Sequence, residues 1–221
     1  MALVIGNQTN SNLNPGGTTQ TLSHNHSGGV DGLLLVTIAM ANTVTVTGMT
    51  YNGVAMTQIR QDTATGISSR YASYYLLSPS TGANNIVISF SAAQWSPTAI
   101  FAVSFSGSSG IGNSGFDNLS ATPNSQTLTI SANSVIFAMG NSNFSQSFGY
   151  VVDGTTLVNV GNGFNINNIV EGAYSSNIAT AGSKTVNTVA DAGNINNFRI
   201  EIQESGGGPV GSSEGSWFLM F

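Results

Sequence analysis

Hydrophobic and polar residues alternate with a period of two along most of this chain, and the alternating segments are rich in Val, Ile, Thr, Phe and Tyr. Such alternation is typical of β-strands that have one buried face. No segment shows the apolar stripe of an amphipathic helix, and Gly recurs too often for long helices. The pattern therefore predicts an all-β protein. The predicted strands are Ala2–Gln8, Thr18–Ser23, Leu33–Ala41, Val44–Tyr51, Ala55–Ala64, Ser69–Leu77, Asn85–Ser91, Thr98–Ser106, Gln126–Ile130, Ser134–Gly140, Thr156–Val160, Val170–Ser176, Lys184–Val189, Phe198–Gln203 and Trp217–Phe221.

A weak internal repeat with a period of about 100 residues is visible when the two parts of the chain are aligned. Tyr51–Thr57 resembles Val152–Val158, and each segment contains a strong hairpin signal, Asn-Gly or Asp-Gly. Ser80–Ile88 likewise resembles Thr180–Thr188. If the repeat is structural, each part alone would present an apolar face that it cannot bury, so the two parts would face one another across a shared core. Chance similarity within a β-protein of skewed composition is the alternative.

Four tracts carry a resemblance to a known family: Thr47–Thr57, Tyr71–Gly82, Val87–Ser91 and Ala102–Gly107. Together they resemble the jelly-roll β-sandwich module that recurs in bacterial surface proteins and in phage virion proteins. The resemblance extends over most of the chain. It implies a jelly-roll-like, two-sheet antiparallel sandwich with a non-catalytic structural or binding role, and it supplies no active-site residues.

The ends of the chain are expected to lie outside this sandwich. We predict an N-terminal strand or arm over 1–30, the sandwich over 31–204, and a Gly/Ser-rich linker with an apolar C-terminal strand over 205–221. An exposed apolar end would promote aggregation, so it should be buried, either in its own sheet or on a neighbouring subunit by strand addition. The predicted partner-binding residues are Trp217, Phe218, Leu219, Met220, Phe221, Leu3, Val4 and Ile5.

The composition narrows the classes of partner. Only 6% of the residues are charged, against about 25% in a typical domain, so the surface is built mainly from neutral side chains suited to contact. The four basic residues are scattered and the net charge is −5, which argues against nucleic acid and a basic membrane-binding patch. The longest apolar stretch is too short to span a bilayer, and the N-terminal residues do not resemble a secretory signal.

Candidate chemistry is sparse. His24 and His26 would share one face of a strand and could supply two metal ligands, but two are too few, so we assign no metal unless a symmetry axis completes the set. A polar strand end is the alternative interpretation. The chain has no cysteine, and no catalytic motif surrounds its acidic residues. We therefore expect no enzymatic activity and no cofactor.

Two aromatic residues, Tyr74 and Trp95, could stack on a sugar ring if they are exposed. Packing in the core or on a sheet is the alternative for both.

These observations favour a structural protein of a phage-type virion, either a capsid decoration or minor capsid protein or a tail or fibre component. Its partners would be other capsid or tail proteins and further copies of itself, and its location the virion, assembled in the host cytoplasm. The alternative is a carbohydrate-binding or adhesin module that recognises glycans at the cell surface. An exposed aromatic platform would favour the second hypothesis.

Overall fold

The computed structural model describes residues 1–64, 68–118, 125–142, 149–165, 168–189 and 195–206. In these ranges the chain forms β-strands joined by turns, and no helix there is long and apolar enough to cross a membrane. The strands are β1 (Val4–Leu13), β2 (Thr19–His26), β3 (Leu33–Ala41), β4 (Val46–Tyr51), β5 (Val54–Ala55), β6 (Thr57–Thr63), β7 (Ser69–Leu77), β8 (Gly82–Phe90), β9 (Thr98–Ser106), β10 (Ser108–Asn118), β11 (Ser125–Ile130), β12 (Val135–Ser142), β13 (Gly149–Val152), β14 (Thr155–Thr156), β15 (Val158–Asn165), β16 (Asn168–Tyr174), β17 (Gly182–Val189) and β18 (Ile195–Glu204).

The strands form two halves with the same topology. In the first half, β1 to β9, an inner sheet has the order β1-β9-β3-β7-β6 and an outer sheet the order β2-β8-β4-β5. In the second half both orders recur with every strand number raised by nine, as β10-β18-β12-β16-β15 and β11-β17-β13-β14. In each half the first strand pairs with the ninth, the second with the eighth and the third with the seventh, all antiparallel. This winding is a jelly roll, so the predicted all-β fold and internal repeat are confirmed.

The two jelly rolls stack through their inner sheets, and the molecule has four layers. Each half is therefore a complete two-sheet sandwich with its own outer core, and the shared core that the repeat predicts is a third apolar layer between the halves. The largest side chains of this central core are Leu33, Leu35, Tyr71, Phe101 and Phe105 from the first half and Phe137, Met139, Phe198, Ile200 and Ile202 from the second.

Burial on two faces explains the composition of the inner strands. All nine residues of β3 and all eight of β12 are buried. β3 is almost continuously apolar and β12 begins with five apolar residues, as expected where each face of a sheet is covered. In β2, an edge strand of an outer sheet, buried and exposed positions instead alternate over most of the strand. The alternating pattern thus marks the outer sheets, and the continuous pattern marks the inner ones.

The inner sheets stack in opposite strand order. Asn10 on β1 donates to the carbonyl of Asn162 on β15, and Asn118 on β10 donates to the carbonyl of Thr63 on β6. An approximate two-fold axis parallel to the strands therefore relates the halves, and their loops meet at two ends of the molecule. We call the end that contains Gly107, where β9 passes into β10, the junction end, and the other the far end.

The domain boundaries differ from those expected. The segment 1–30 contributes two regular strands, β1 and β2, to the first half, and the sandwich expected over 31–204 is divided at Gly107. Gly107 has a φ of 70°, and a Cβ there would lie 2.3 Å from the carbonyl oxygen of Ala2. The short link between the halves therefore depends on glycine. Of the linker and apolar strand expected over 205–221, the part from 207 onwards lies outside the described residues.

Candidate functional site

His24 and His26 lie side by side on β2 and point inward, as their spacing predicts. The His24 Nε2 and the His26 Nδ1 each lie 2.8 Å from the Ser104 Oγ on β9, and the His24 Nδ1 lies 2.9 Å from the Thr9 Oγ1 on β1. The Tyr51 hydroxyl donates to the backbone carbonyl of His24 at 3.2 Å. This network ties the outer sheet to the inner sheet at the junction end of the first half.

Burial disfavours the charged form of both histidines. Burial, with a smaller contribution from neighbouring His26, lowers the pKa of His24 from 6.5 to about 4, and burial also lowers the pKa of His26. Both ring nitrogens of His24 already have partners in its own chain. No group of three or more potential metal-ligating residues occurs in the part of the chain that the structure describes. The pair as placed stabilises the first half, and a symmetry-completed metal site would have to break the hydrogen bonds of His24.

The second half has a buried carboxylate at the position equivalent to Ser104. Ser104 pairs with Leu34, and Glu201 pairs with Ile136 in the corresponding ladder. The Glu201 carboxylate accepts the backbone N–H groups of Asn113 and Ser131 and the hydroxyl of Ser134, at 2.6 to 2.9 Å. These hydrogen bonds outweigh burial and lower the pKa of Glu201. Glu201 thus fastens the first strand of this half and the β11–β12 loop to β18.

A second polar cluster lies inside the second half, towards the far end. Gly140 on β12 is flanked by Glu171 on β16 and by Asn197 on β18, and all three positions are buried. The guanidinium of Arg199, two residues beyond Asn197, forms an ion pair with Asp117 on the edge strand β10. This cluster is enclosed by the fold, and we assign it a structural role.

Several elements contribute exposed apolar side chains at the junction end. Four large apolar side chains there are 46% to 62% exposed: Met1 (61%), Val4 (55%), Val30 (62%) and Leu77 (46%). They lie around Gly107, whose N–H donates to the Val30 carbonyl at 2.8 Å. The Met1 ammonium donates to the Ser205 carbonyl at 3.1 Å. We call these four side chains the junction patch.

A groove of about 350 Å³ adjoins the junction patch. Leu77 belongs to both, and the other lining residues are mainly small or hydroxyl-bearing. They are Asp31, Gly32, Ser78, Ser108, Ser109, Ser205 and Gly206. The floor of the groove comes from both halves, because Asp31 accepts a backbone hydrogen bond from Ser108 at 2.9 Å. The described chain also ends at this groove, since Gly206 is its last described residue.

The predicted partner-binding residues at the N-terminus divide between the core and the surface. Leu3 is buried in the central core and Ile5 packs against that core, while β1 pairs with β9 of its own chain. These two side chains are therefore used within the subunit, because the central core needs them to cover its edge. Val4 alone is exposed, as part of the junction patch. The predicted residues Trp217, Phe218, Leu219, Met220 and Phe221 lie outside the described residues.

The two predicted sugar-stacking residues do not form one platform. Tyr74 is buried in the outer core of the first half, where its hydroxyl donates to the Gln58 Oε1 at 2.8 Å and burial raises its pKa. Trp95 is 57% exposed in the β8–β9 loop, and its indole N–H donates to the Thr43 hydroxyl at 3.1 Å. Trp95 therefore presents a ring at the far end, while Tyr74 is a core residue.

Sequence reasoning missed Val30 and Leu77 as surface residues. Leu77 ends an apolar strand and Val30 sits in a Gly-rich loop, and nothing local distinguishes an exposed apolar residue from a buried one. Exposure at these positions depends on how the two halves meet.

No protein-family model matches this chain, and no curated protein is significantly similar to it in sequence.

Proposed function

We propose that this protein is a non-catalytic structural protein of a phage-type virion, a capsid decoration or minor capsid protein or a tail or fibre component, that acts through protein–protein contacts. The observation that carries the proposal is the junction end. Both halves, the N-terminal residues and the last described residues meet there, and four apolar side chains at that end are exposed. Apolar patches that several elements share are typical of interaction surfaces.

The architecture supports the same role. The four stacked sheets enclose three hydrophobic cores. The polar surface of the molecule is largely uncharged, because only 6% of the chain is charged. Such a surface allows copies to approach without strong like-charge repulsion. Few charged groups lose their hydration when it is buried, so the desolvation cost is also small. The jelly-roll topology agrees with the resemblance to virion and bacterial surface modules.

Fractionation of particles from the native source tests the proposal. We expect the chain to sediment with particles on a density gradient, at a fixed ratio to other particle proteins measured by mass spectrometry. Replacing Val4 by Asp should deplete the chain from particles, whereas Val189→Asp, at an apolar position of similar exposure, should not. A chain that remains monomeric and never enters a particle would overturn the assignment.

A second candidate function, glycan recognition at the cell surface, is favoured by Trp95 alone. Its indole is exposed and held by the hydrogen bond to Thr43, and a fixed aromatic face suits the flat side of a sugar ring. Screening the full chain and a Trp95→Ala variant on a glycan array tests this candidate. Binding that disappears in the variant would support it, and the absence of any binding would eliminate it.

A further inference from the structure

We infer that a pocket at the junction end of the second half binds an apolar anchor side chain from a neighbouring protein of the particle. The source of that side chain rests on the proposed function, whereas the pocket does not. The pocket has a volume of about 210 Å³ and lies between the β13–β14 hairpin and the loop that follows β16. Ile178 in that loop pairs with Ser134, just before β12, so the pocket lies at the end of the molecule where we propose the contacts.

The pocket reflects a difference in side-chain size between the halves. Its floor consists of three buried residues, Val152, Leu157 and Ser175. Their first-half equivalents, given by the strand registers and the matching backbone hydrogen bonds, are Tyr51, Met56 and Leu76. All three of these larger side chains pack in the outer core of the first half. Because protein interiors are close-packed, the smaller set leaves a pocket at one corner of the second outer core.

The lining suits a side chain that is carried on a polypeptide. Val152 and Leu157 give an apolar floor, and Ile178 is partly buried against the same core. The rim residues Asp153, Thr155 and Asn177 are exposed. Their carboxylate, hydroxyl and amide groups can hydrogen-bond to the peptide groups on either side of an inserted side chain. An apolar centre with a polar rim is the arrangement of anchor pockets in protein interfaces.

The volume favours a single side chain over a larger ligand. Pockets for drug-sized molecules usually measure roughly 300 to 1,000 Å³, and this pocket is about 210 Å³. A charged group is unsuited to the floor, because the apolar side chains there cannot replace its hydration. We therefore assign the pocket to an uncharged side chain of the size of Leu, Met or Phe.

A titration with blocked amino acids tests the pocket in the isolated protein. The probes are the N-acetyl amides of leucine, methionine and phenylalanine, and the N-acetyl amide of glycine is the control without a side chain. We expect at least one apolar probe to cause saturable NMR shifts of the methyl groups of Val152, Leu157 and Ile178. The glycine probe should cause none.

Restoring the first-half residue should close the pocket. We expect Val152→Tyr to weaken probe binding about tenfold or more. The matched control is Val151→Tyr, which places the same ring on the opposite face of β13 and should leave binding unchanged.

A second way to block the pocket avoids any effect on folding, because the chain has no cysteine and the label is added after folding. Thr155→Cys carrying a benzyl thiosulfonate label at the rim should weaken probe binding about tenfold. Thr156→Cys with the same label is the control, since Thr156 is also exposed but does not line the pocket.

Particles then test the source of the side chain. We expect Val152→Tyr to be depleted from particles about tenfold, and Val151→Tyr to be incorporated like the unaltered chain. Full incorporation of Val152→Tyr would overturn the assignment to a neighbouring protein. Dimerisation of the isolated chain that Val152→Tyr abolishes and Val151→Tyr preserves would assign the anchor to a second copy instead.

Failure of the pocket and failure of the proposed function are distinguishable. Probes that leave all three methyl groups unshifted would overturn the inference, even if the chain is found in particles. A chain that is absent from particles would overturn the proposed function and the neighbouring protein with it, while saturable probe binding would still support the pocket.

Discussion

The two halves share one topology but fill their outer cores with opposite chemistry. In the first half, Ile38 is flanked by Ala72 and Ile100, and this part of the core is apolar. In the second half the equivalent row is Glu171, Gly140 and Asn197. The next row contains Ala102 in the first half and Arg199 in the second. The first half is apolar where the second is polar.

The relation is reversed at the junction end. His24 and His26 pair with Asn84 and Gly82 in the first half, and the equivalent residues of the second half are Leu128 and Ile130. Both leucine and isoleucine are buried there. The strand order and hairpin turns are the same in both halves, so they do not depend on which interior positions are polar. What each half requires is that its buried polar groups occur as matched sets.

The largest expected effect comes from transferring a single charge between halves. Ala72→Glu places the equivalent of Glu171 in an apolar core without its surroundings. We expect a loss of roughly 4 kcal/mol or more in the free energy of unfolding, because an unpaired carboxylate is buried or must be protonated. Urea denaturation measures it, with Thr57→Glu on an exposed position as the control. A loss below about 1 kcal/mol would show that the first half tolerates one buried carboxylate without the polar residues that surround Glu171 in the second half.

Removing the Glu201 carboxylate should cost somewhat less. Glu201→Leu leaves the N–H groups of Asn113 and Ser131 and the Ser134 hydroxyl without their acceptor. We expect a loss of about 3 kcal/mol in the free energy of unfolding. Ser104→Ala, at the equivalent position in the first half, should cost about 1 to 2 kcal/mol because its partners are neutral. Equal losses in the two variants would contradict the contrast in charge.

Acid should weaken the protein through its first half. The pKa of His24 is about 4 in the folded protein, against an ordinary value of 6.5 for histidine, so the unfolded state binds protons first as the pH falls. Stability is fully present above pH 6.5 and is lost between 6.5 and 4, by about 2 to 3 kcal/mol. Unfolding free energies at pH 7.5 and 4.5 measure this loss.

The control for the acid effect replaces both histidines by their second-half equivalents, Leu and Ile, and removes the Ser104 hydroxyl. His24→Leu with His26→Ile and Ser104→Ala removes the network, and the loss between pH 7.5 and 4.5 should shrink accordingly. An unchanged pH dependence would show that other groups dominate the acid response.

The smallest effect is expected where the halves are most alike. Asp153→Asn converts the second hairpin to the Asn-Gly sequence of the first. The Oδ1 acceptor for the Thr185 N–H is kept, and only the partly exposed ion pair with Lys184 at 3.6 Å is lost. The free energy of unfolding should change by no more than about 0.5 kcal/mol. A loss above about 1 kcal/mol would mean that the two hairpins are not interchangeable.

Much of the fold could be predicted from local patterns, and much of the site could not. The hairpins at Asn52-Gly53 and Asp153-Gly154, with positive φ at all four residues, follow from backbone preferences that act over two residues. The apolar run Leu33–Ala41, interrupted only by Thr37, already contained the signal for burial on both faces, although periodicity alone does not say what covers each face. The contact of His24 with Ser104 spans 80 residues, and it depends on the register of the assembled sheets.

The central core has a consequence for synthesis. All first-half residues of the central core have been synthesised once the ribosome has added Phe105. The second-half residues that cover them begin only at Ile111 and end at Ile202. At about 5 to 20 residues per second, the ribosome needs several seconds to supply them. During that interval the nascent chain exposes the apolar face of the first half's inner sheet. Slow elongation or early termination should therefore prolong the time in which this face can bind chaperones or aggregate.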